Sequence, residues 1–328
     1  MRVPSLLDVE ELAAWHLLTS VRGFGPKAAK AIHDANLTPE EVVARPNLFP
    51  LKGRRAERVV ASIGGLTESE RGAALTFARK QRAKAQGLDI SILSYQSGLY
   101  PPLVLRSNNP IPVLWMRGNT KIARSTRVVA CVGSRGIRPP YADLQAAFAD
   151  IAVADGFVIT SGFATGADTV GHRRVLENGG ETMCVMPCGV DLIFPPENRG
   201  LWSDLMVSDR AVFLSEFPLG RRAEGLTLRK RNKLIVATAL GVLVGQSSKT
   251  GGAMNAFRFA LEQRKPIATF EPDGGEDTSG NDEIRDSSTG VTVTLPMVRR
   301  TQDYRQWLHE LCSSTSTGRS GEGTSGTL

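Results

Sequence analysis

Three short apolar runs, each breaking into a glycine-rich loop and then into a helical stretch, limit what this chain can fold into more than any other feature. They are Val128-Val-Ala-Cys-Val132 before Gly133-Ser134-Arg135-Gly136, and Phe157-Val-Ile-Thr160 before Ser161-Gly162-Phe163-Ala164-Thr165-Gly166-Ala167-Asp168. The third is Gly241-Val-Leu-Val244 before Gly245-Gln-Ser-Ser-Lys249-Thr-Gly251-Gly252-Ala253. Five more runs have the length and composition of strands: Ile90–Ser94, Val113–Met116, Thr182–Met186, Ala211–Leu214 and Pro266–Phe270. Helical periods lie at 141–154, 167–178, 199–208, 230–239 and 253–263. Strand–helix alternation of this kind specifies an α/β fold, a doubly wound and largely parallel sheet with helices on both faces. Its ligands bind beyond the carboxyl ends of the strands.

Those loops suit phosphate. Glycine lets an anion approach the backbone, and a helix N-terminus offers free N–H groups and a partial positive charge. Three such loops on one sheet, with Arg135 and Lys249 among them, are stronger evidence than one, because a single glycine also simply turns a corner. Neither standard nucleotide signature is present: G-x-x-x-x-G-K-[ST] is absent, and no G-x-G-x-x-G follows the first of the three runs.

Charge supports a polyanionic partner. The 328 residues carry 40 Lys/Arg and 33 Asp/Glu; residues 1–270 hold 35 and 23 of these, and residues 271–328 hold 5 and 10. The body is therefore basic and the end acidic. The densest run, Arg221-Arg-Ala-Glu-Gly-Leu-Thr-Leu-Arg229-Lys230-Arg231-Asn232-Lys233, has six basic residues and one acidic one, and it leads toward the third loop's strand. Such a run fits an extended backbone with several phosphates better than one mononucleotide.

Four segments are expected. Residues 1–85 read as short helices with glycine turns, and Leu17–Ile32 has the pattern of a helix-hairpin-helix: an amphipathic helix ending at Gly23, Phe24 filling the gap, and Pro26 opening the next helix. A weaker echo spans Leu48–Val60. Residues 86–270 form the sheet domain. The segment 271–290, rich in Gly, Ser and acid, reads as a flexible linker. Residues 291–328 read as a short strand, a helix and a disordered tail. No apolar run reaches the roughly 18 residues of a membrane span, and the first residues lack a signal peptide's apolar stretch, so a cytoplasmic protein without membrane contact is expected. Cys184 and Cys188, about 13 Å apart along a straight strand, are too distant to share a metal and read as core thiols. No metal or cofactor is expected.

The ordered motifs Y-P-P-L (100–103), V-L-W-M-R-G (113–118), V-G-S-R (132–135), S-G-F-A-T-G-A-D-x-x-G-H (161–172), C-G-V-D-x-x-F-P-P-E-N (188–198), S-E-F-P-x-G (215–220) and R-N-K-L-I (231–235) closely resemble the bacterial DNA-processing protein A family, DprA or Smf. The resemblance covers roughly residues 10–270. It implies a SAM-like or hairpin helical domain before an extended Rossmann-like sheet domain, single-stranded DNA binding, protection of incoming DNA in natural transformation, loading of a RecA-type recombinase, a homodimer, and no catalytic activity. It further implies that Arg135 with Ser134 holds a DNA phosphate, that the loop around Gly162, Ala164 and Gly166 supplies backbone amides, and that Arg231, Asn232 and Lys233 line the same pocket. Leu228-Arg229-Lys230 stands where the family has an aromatic and a proline, which favours phosphate-dominated, sequence-blind binding.

The phosphate-binding set expected from these readings is Gly133, Ser134, Arg135, Ser161, Gly162, Ala164, Gly166, Arg229, Lys230, Arg231, Asn232, Lys233, Lys249, Gly251 and Gly252. Asp168 and His172, four apart on one helical face, read as structural polar groups rather than an acid–base pair. Two rival readings use the same sheet. A LOG-type phosphoribohydrolase would cleave a nucleotide with a P-G-G-x-G-T-x-x-E loop, whose glutamate is missing from Lys249–Ala256. A nucleotide-sensing module would use the pocket without chemistry.

Overall fold

The computed structural model describes residues 4–108, 110–287, 291–297 and 301–313. The helical unit comprises α1 (Val9–Ser20), α2 (Pro26–Asp34), α3 (Pro39–Ala44), α4 (Arg54–Gly64) and α5 (Glu68–Gly87). Capping boxes start α3 at Thr38 with Glu41, and α5 at Thr67 with Glu70. The helix before the first hairpin turn ends at Ser20, three residues short of the expected Gly23, and it is not two-faced. Leu12, Ala13, Ala14, Trp15, Leu17 and Leu18 are all buried because α1 is wrapped by α3 and α5. The turn itself follows expectation: Gly23 has φ +94°, and Pro26 opens α2. Gly53 repeats the φ of +94° before α4, and Arg55 Nε donates to Gly23 O at 3.3 Å, joining the two turns.

Nine strands follow: β1 (Ile90–Ser94), β2 (Val113–Gly118), β3 (Val128–Val132), β4 (Val158–Ser161), β5 (Thr182–Val185), β6 (Ala211–Ser215), β7 (Gly241–Val244), β8 (Ile267–Phe270) and β9 (Thr292–Leu295). They form one sheet in the order β1-β2-β6-β5-β4-β3-β7-β8-β9. The pairs β1–β2 and β2–β6 are antiparallel, and the other pairs are parallel. Strands β3 to β8 are buried throughout, as strands covered on both faces must be, which explains their continuous rather than alternating apolar runs. The helices are α6 (Pro102–Arg106), α7 (Pro139–Ala154), α8 (Ala167–Glu177), α9 (Arg199–Ser208), α10 (Gly225–Ala237), α11 (Ala253–Glu262), α12 (Ser279–Arg285) and α13 (Thr301–Ser313).

The topology decides where a ligand can sit. From β3 the chain winds outward through β4, β5 and β6, then returns through α10 to place β7 on the other flank of β3. The winding reverses at β3, and an open crevice forms at the carboxyl ends on either side of such a reversal. The loops after β3, β4 and β7, picked out by their glycines, leave three adjacent parallel strands at this point.

One expectation fails. The acidic stretch after β8 is not a flexible linker over its described part: Glu276–Thr278 forms a turn of 3₁₀-helix, α12 follows, and β9 extends the sheet beside β8. Its polar groups are satisfied by partners distant in sequence. Asn281 is fully buried and donates to Gly245 O at 2.6 Å and Thr269 Oγ1 at 2.8 Å, while accepting from Ser247 N at 2.9 Å. Beyond β9, α13 buries Tyr304, Trp307, Leu308 and Leu311, with Tyr304 and Trp307 against Phe148 of α7. The expected tail, from 314 onward, and residues 288–290 of the expected linker lie outside the described residues. Among the described residues no helix is long and apolar enough to cross a membrane.

Candidate nucleic-acid interface

A crevice of about 430 Å³ opens at the reversal point. Its walls are Gly133, Ser134 and Arg135 after β3; Ala164 and Asp168 after β4; Ser247, Ser248, Gly251, Gly252 and Asn255 after β7; and Arg229, Arg231 and Asn232 on α10. Nine of the fifteen expected phosphate-binding residues thus line one cavity.

The loops are laced to one another more tightly than a bare phosphate cradle requires. Ser134 N donates to Gln246 O at 2.7 Å and Ala167 N to Ser134 O at 3.0 Å, so the first loop is bonded to the other two. Gly166 has φ +75°, and a methyl group there would collide with the carbonyl oxygens of Ser134 and Arg135. Its glycine therefore serves loop-to-loop packing. Ser161 is fully buried and donates to Cys131 O at 2.5 Å, tying β4 to β3. Ala164 N donates to Asp168 Oδ2 at 3.1 Å, and Gly251 N to Ser248 O at 2.9 Å. Two of the loop amides that sequence reasoning offers to phosphate are thus occupied within the protein. Gly252, by contrast, faces open space and lines the crevice.

The basic run divides between the floor of the crevice and its rim. Arg231 is buried: its guanidinium donates to Gly162 O and, at 2.7 Å, to Val185 O, while its Nε donates to Asn232 Oδ1 at 3.1 Å. It fastens the ends of β4 and β5 to α10. Burial pushes its pKa down to about 10, against the opposing pull of the Asp168 carboxylate. Asp168 is itself buried, which raises its pKa, with Arg231 and the loop groups pulling the other way. Asn232 Nδ2 donates to Gly252 O at 3.2 Å and holds the third loop. At the rim, Arg135 and Arg229 are exposed, and neither has an ion-pair partner among the described residues.

Lys230, Lys233 and Lys249 stand apart from the cavity. Lys230 Nζ is 2.7 Å from Glu216 Oε2 and 5.5 Å from the Phe217 ring centre, so Glu216 anchors the basic run. Lys233 Nζ lies 5.0 Å from the centre of Phe259. Lys249 is exposed, and its backbone N donates to Ser279 Oγ at 3.1 Å.

Sequence reasoning missed a clamp behind the loops. Arg138, just beyond the first loop, pairs with Asp277 at 2.5 Å and Asp273 at 2.8 Å. Gln246 accepts from Arg138 N at 2.8 Å and donates to Asp277 Oδ2 at 2.6 Å. The acidic segment therefore clamps the first and third loops together. The available signal was its position: acid directly after the last strand of a basic domain.

Asp168 and His172 do not form an acid–base pair. His172 Nδ1 is 2.7 Å from Thr182 Oγ1, and burial lowers its pKa to about 3, so it is a neutral core side chain at pH 7. Burial likewise pushes Cys184 up and Cys188 up to about 12; both are buried thiols. Among the described residues no cluster of three His, Cys, Asp or Glu side chains is arranged to hold a metal.

A reversal-point crevice with loop walls and arginines on its rim defines the class: an open α/β protein with a basic-rimmed crevice at the carboxyl edge of its sheet. Residues 91–296 match the family of DNA recombination-mediator protein A. The chain belongs to that family. It is 31% identical over 265 residues to protein Smf of Synechocystis, covering 78% of this chain and 64% of that protein. It is 31% identical over 159 residues to the DNA processing protein DprA of Streptococcus pneumoniae, covering 47% of this chain and 54% of that protein. The chain thus spans somewhat over half the length of these relatives. The solved structure of S. pneumoniae DprA superposes with a TM-score of 0.66 at 19% identity, covering 88% of this chain and 95% of that one. That of DNA processing protein A from Helicobacter pylori, described for its single-stranded DNA binding mode, gives 0.57 at 22% identity, covering 69% of this chain and 97% of that one. Both likenesses support the fold.

Proposed function

We propose that this chain binds single-stranded DNA across the mouth of the crevice and acts as a recombination mediator, protecting the strand and passing it to a RecA-type recombinase, as a homodimer in the cytoplasm. The observation that carries the reading is that two exposed arginines with no ion-pair partner among the described residues, Arg135 and Arg229, line one cavity. Two such cations at the mouth of a crevice whose buried Arg231 already donates to backbone carbonyls suit phosphates that run across the opening. The family membership and the H. pylori protein's single-stranded DNA binding mode support the same ligand.

Fluorescence anisotropy with a labelled single strand and its duplex tests this. The single strand binds more tightly, and affinity falls steeply with salt because counterions are released. Equal affinity for both forms, or salt-independent binding, contradicts the proposal. Incubation with nucleoside monophosphates separates the enzymatic alternative: no free base is expected, because the third loop lacks the glutamate of the hydrolase pattern.

A further inference from the structure

A second cavity, of about 390 Å³, lies where the helical unit meets the sheet. Its chemistry differs from that of the crevice. The walls are rings and prolines: Trp15, His16 and Phe77 from α1 and α5, Phe24 and Pro26 of the first hairpin turn, and Trp115 of β2. His16 and Phe77 are stacked, with centres 4.0 Å apart and planes 18° from parallel. His16 is exposed. The cavity's cation and carboxylate, Lys230 and Glu216, are 2.7 Å apart and neutralise each other. Burial lowers the pKa of His16, which favours its uncharged ring. A site with stacked rings and no net charge suits a flat heterocycle and gives a phosphate nothing to bind.

We infer that this cavity takes a nucleobase of the same strand whose backbone crosses the crevice, with His16 and Phe77 as the stacking platform. The inference rests on the crevice being the backbone site. Continuity supports the link: Arg229 and Arg231 of α10 line the crevice, and Lys230 between them lines the second cavity. The two sites are therefore separated by one helix, about 10–12 Å across with its side chains. A strand leaving the rim over α10 arrives at the rings. The single-strand preference follows as well, because a paired base cannot leave its stack to enter a pocket without breaking the duplex.

The test compares His16→Ala and Phe77→Leu with the unaltered protein on two ligands: an oligothymidine long enough to reach both cavities, and a strand of equal length with abasic sugars throughout. Each substitution weakens oligothymidine binding about fivefold to tenfold, as for loss of one stacked base, and leaves the abasic strand unaffected. Equal losses on both strands, or none on either, overturn the inference. His16 is exposed, so its variant decides the matter if Phe77→Leu lowers the melting temperature. Arg135→Ala serves as the control: it weakens both strands alike. If it weakens neither, the crevice reading fails instead.

Discussion

The floor and the rim of the crevice are built from the same kinds of residue and do opposite work. At the floor, Arg231 and Asp168 are buried, and Arg231 spends its donors on backbone carbonyls that fix the ends of β4 and β5. At the rim, Arg135 and Arg229 are exposed and have no ion-pair partner among the described residues. Three consecutive basic residues therefore differ in role by burial and partner: Arg229 faces solvent, Lys230 is tied to Glu216, and Arg231 is a buried structural clamp. Charge in a sequence marks where a polyanion site lies without saying which charges meet the polyanion.

The sharpest way to break the comparison is Arg231→Ala. It strips the carbonyls of Gly162 and Val185 of their buried partner and should cost about 2–3 kcal/mol of stability, read as a large fall in melting temperature. Removing a rim arginine should leave the melting temperature unchanged. If Arg231→Ala instead melts normally and only weakens DNA, floor and rim are not distinct.

Asn281→Ala probes the clamp behind the loops. It strips the carbonyl of Gly245 and the amide of Ser247 of buried partners and should cost about 2–3 kcal/mol, with weaker DNA binding because the third loop loosens. Replacement by Ser, which retains one polar contact, should cost less. An unchanged melting temperature would show that the acidic segment is not a buttress.

A pH titration separates His172 from any catalytic role. Its pKa is depressed in the fold to about 3, so below about pH 6.5 the unfolded chain takes up a proton that the folded chain refuses, and stability falls as pH drops toward 3. His172→Gln should flatten that loss by up to about 1.4 kcal/mol per pH unit. Identical acid slopes in both proteins would rule this out. The smallest expected effect is that of Lys230→Ala on the abasic strand, within about twofold, because its charge is already paired with Glu216.

Much of the fold was legible because buried parallel strands and amphipathic helices leave local patterns. The eight expected strands match β1 to β8 to within two residues at each end, and the helical periods match α7, α8, α9 and α11, whereas α10 begins at Gly225, five residues before the expected start, and carries the basic run itself. The three loops converge as their glycines suggested, since parallel strands place successive loops at one edge. What the sequence hid is what depends on long-range partners. Segment 271–287 has the composition of a linker, yet Asn281, Asp273 and Asp277 find Gly245, Ser247 and Arg138 more than 30 residues away. Arg231 hid for the same reason: only burial distinguishes it from Arg229. The aromatic cavity was equally invisible, because its rings come from α1, α5 and β2.

The central claim is that DNA phosphates meet the rim. Its most direct test is the salt dependence of single-strand binding by the unaltered protein and by a protein carrying both Arg135→Ala and Arg229→Ala. Each lost phosphate contact lowers the slope of log affinity against log salt by about 0.7, so the double variant should show a slope about 1.4 shallower with an unchanged melting temperature. An unchanged slope would contradict the account.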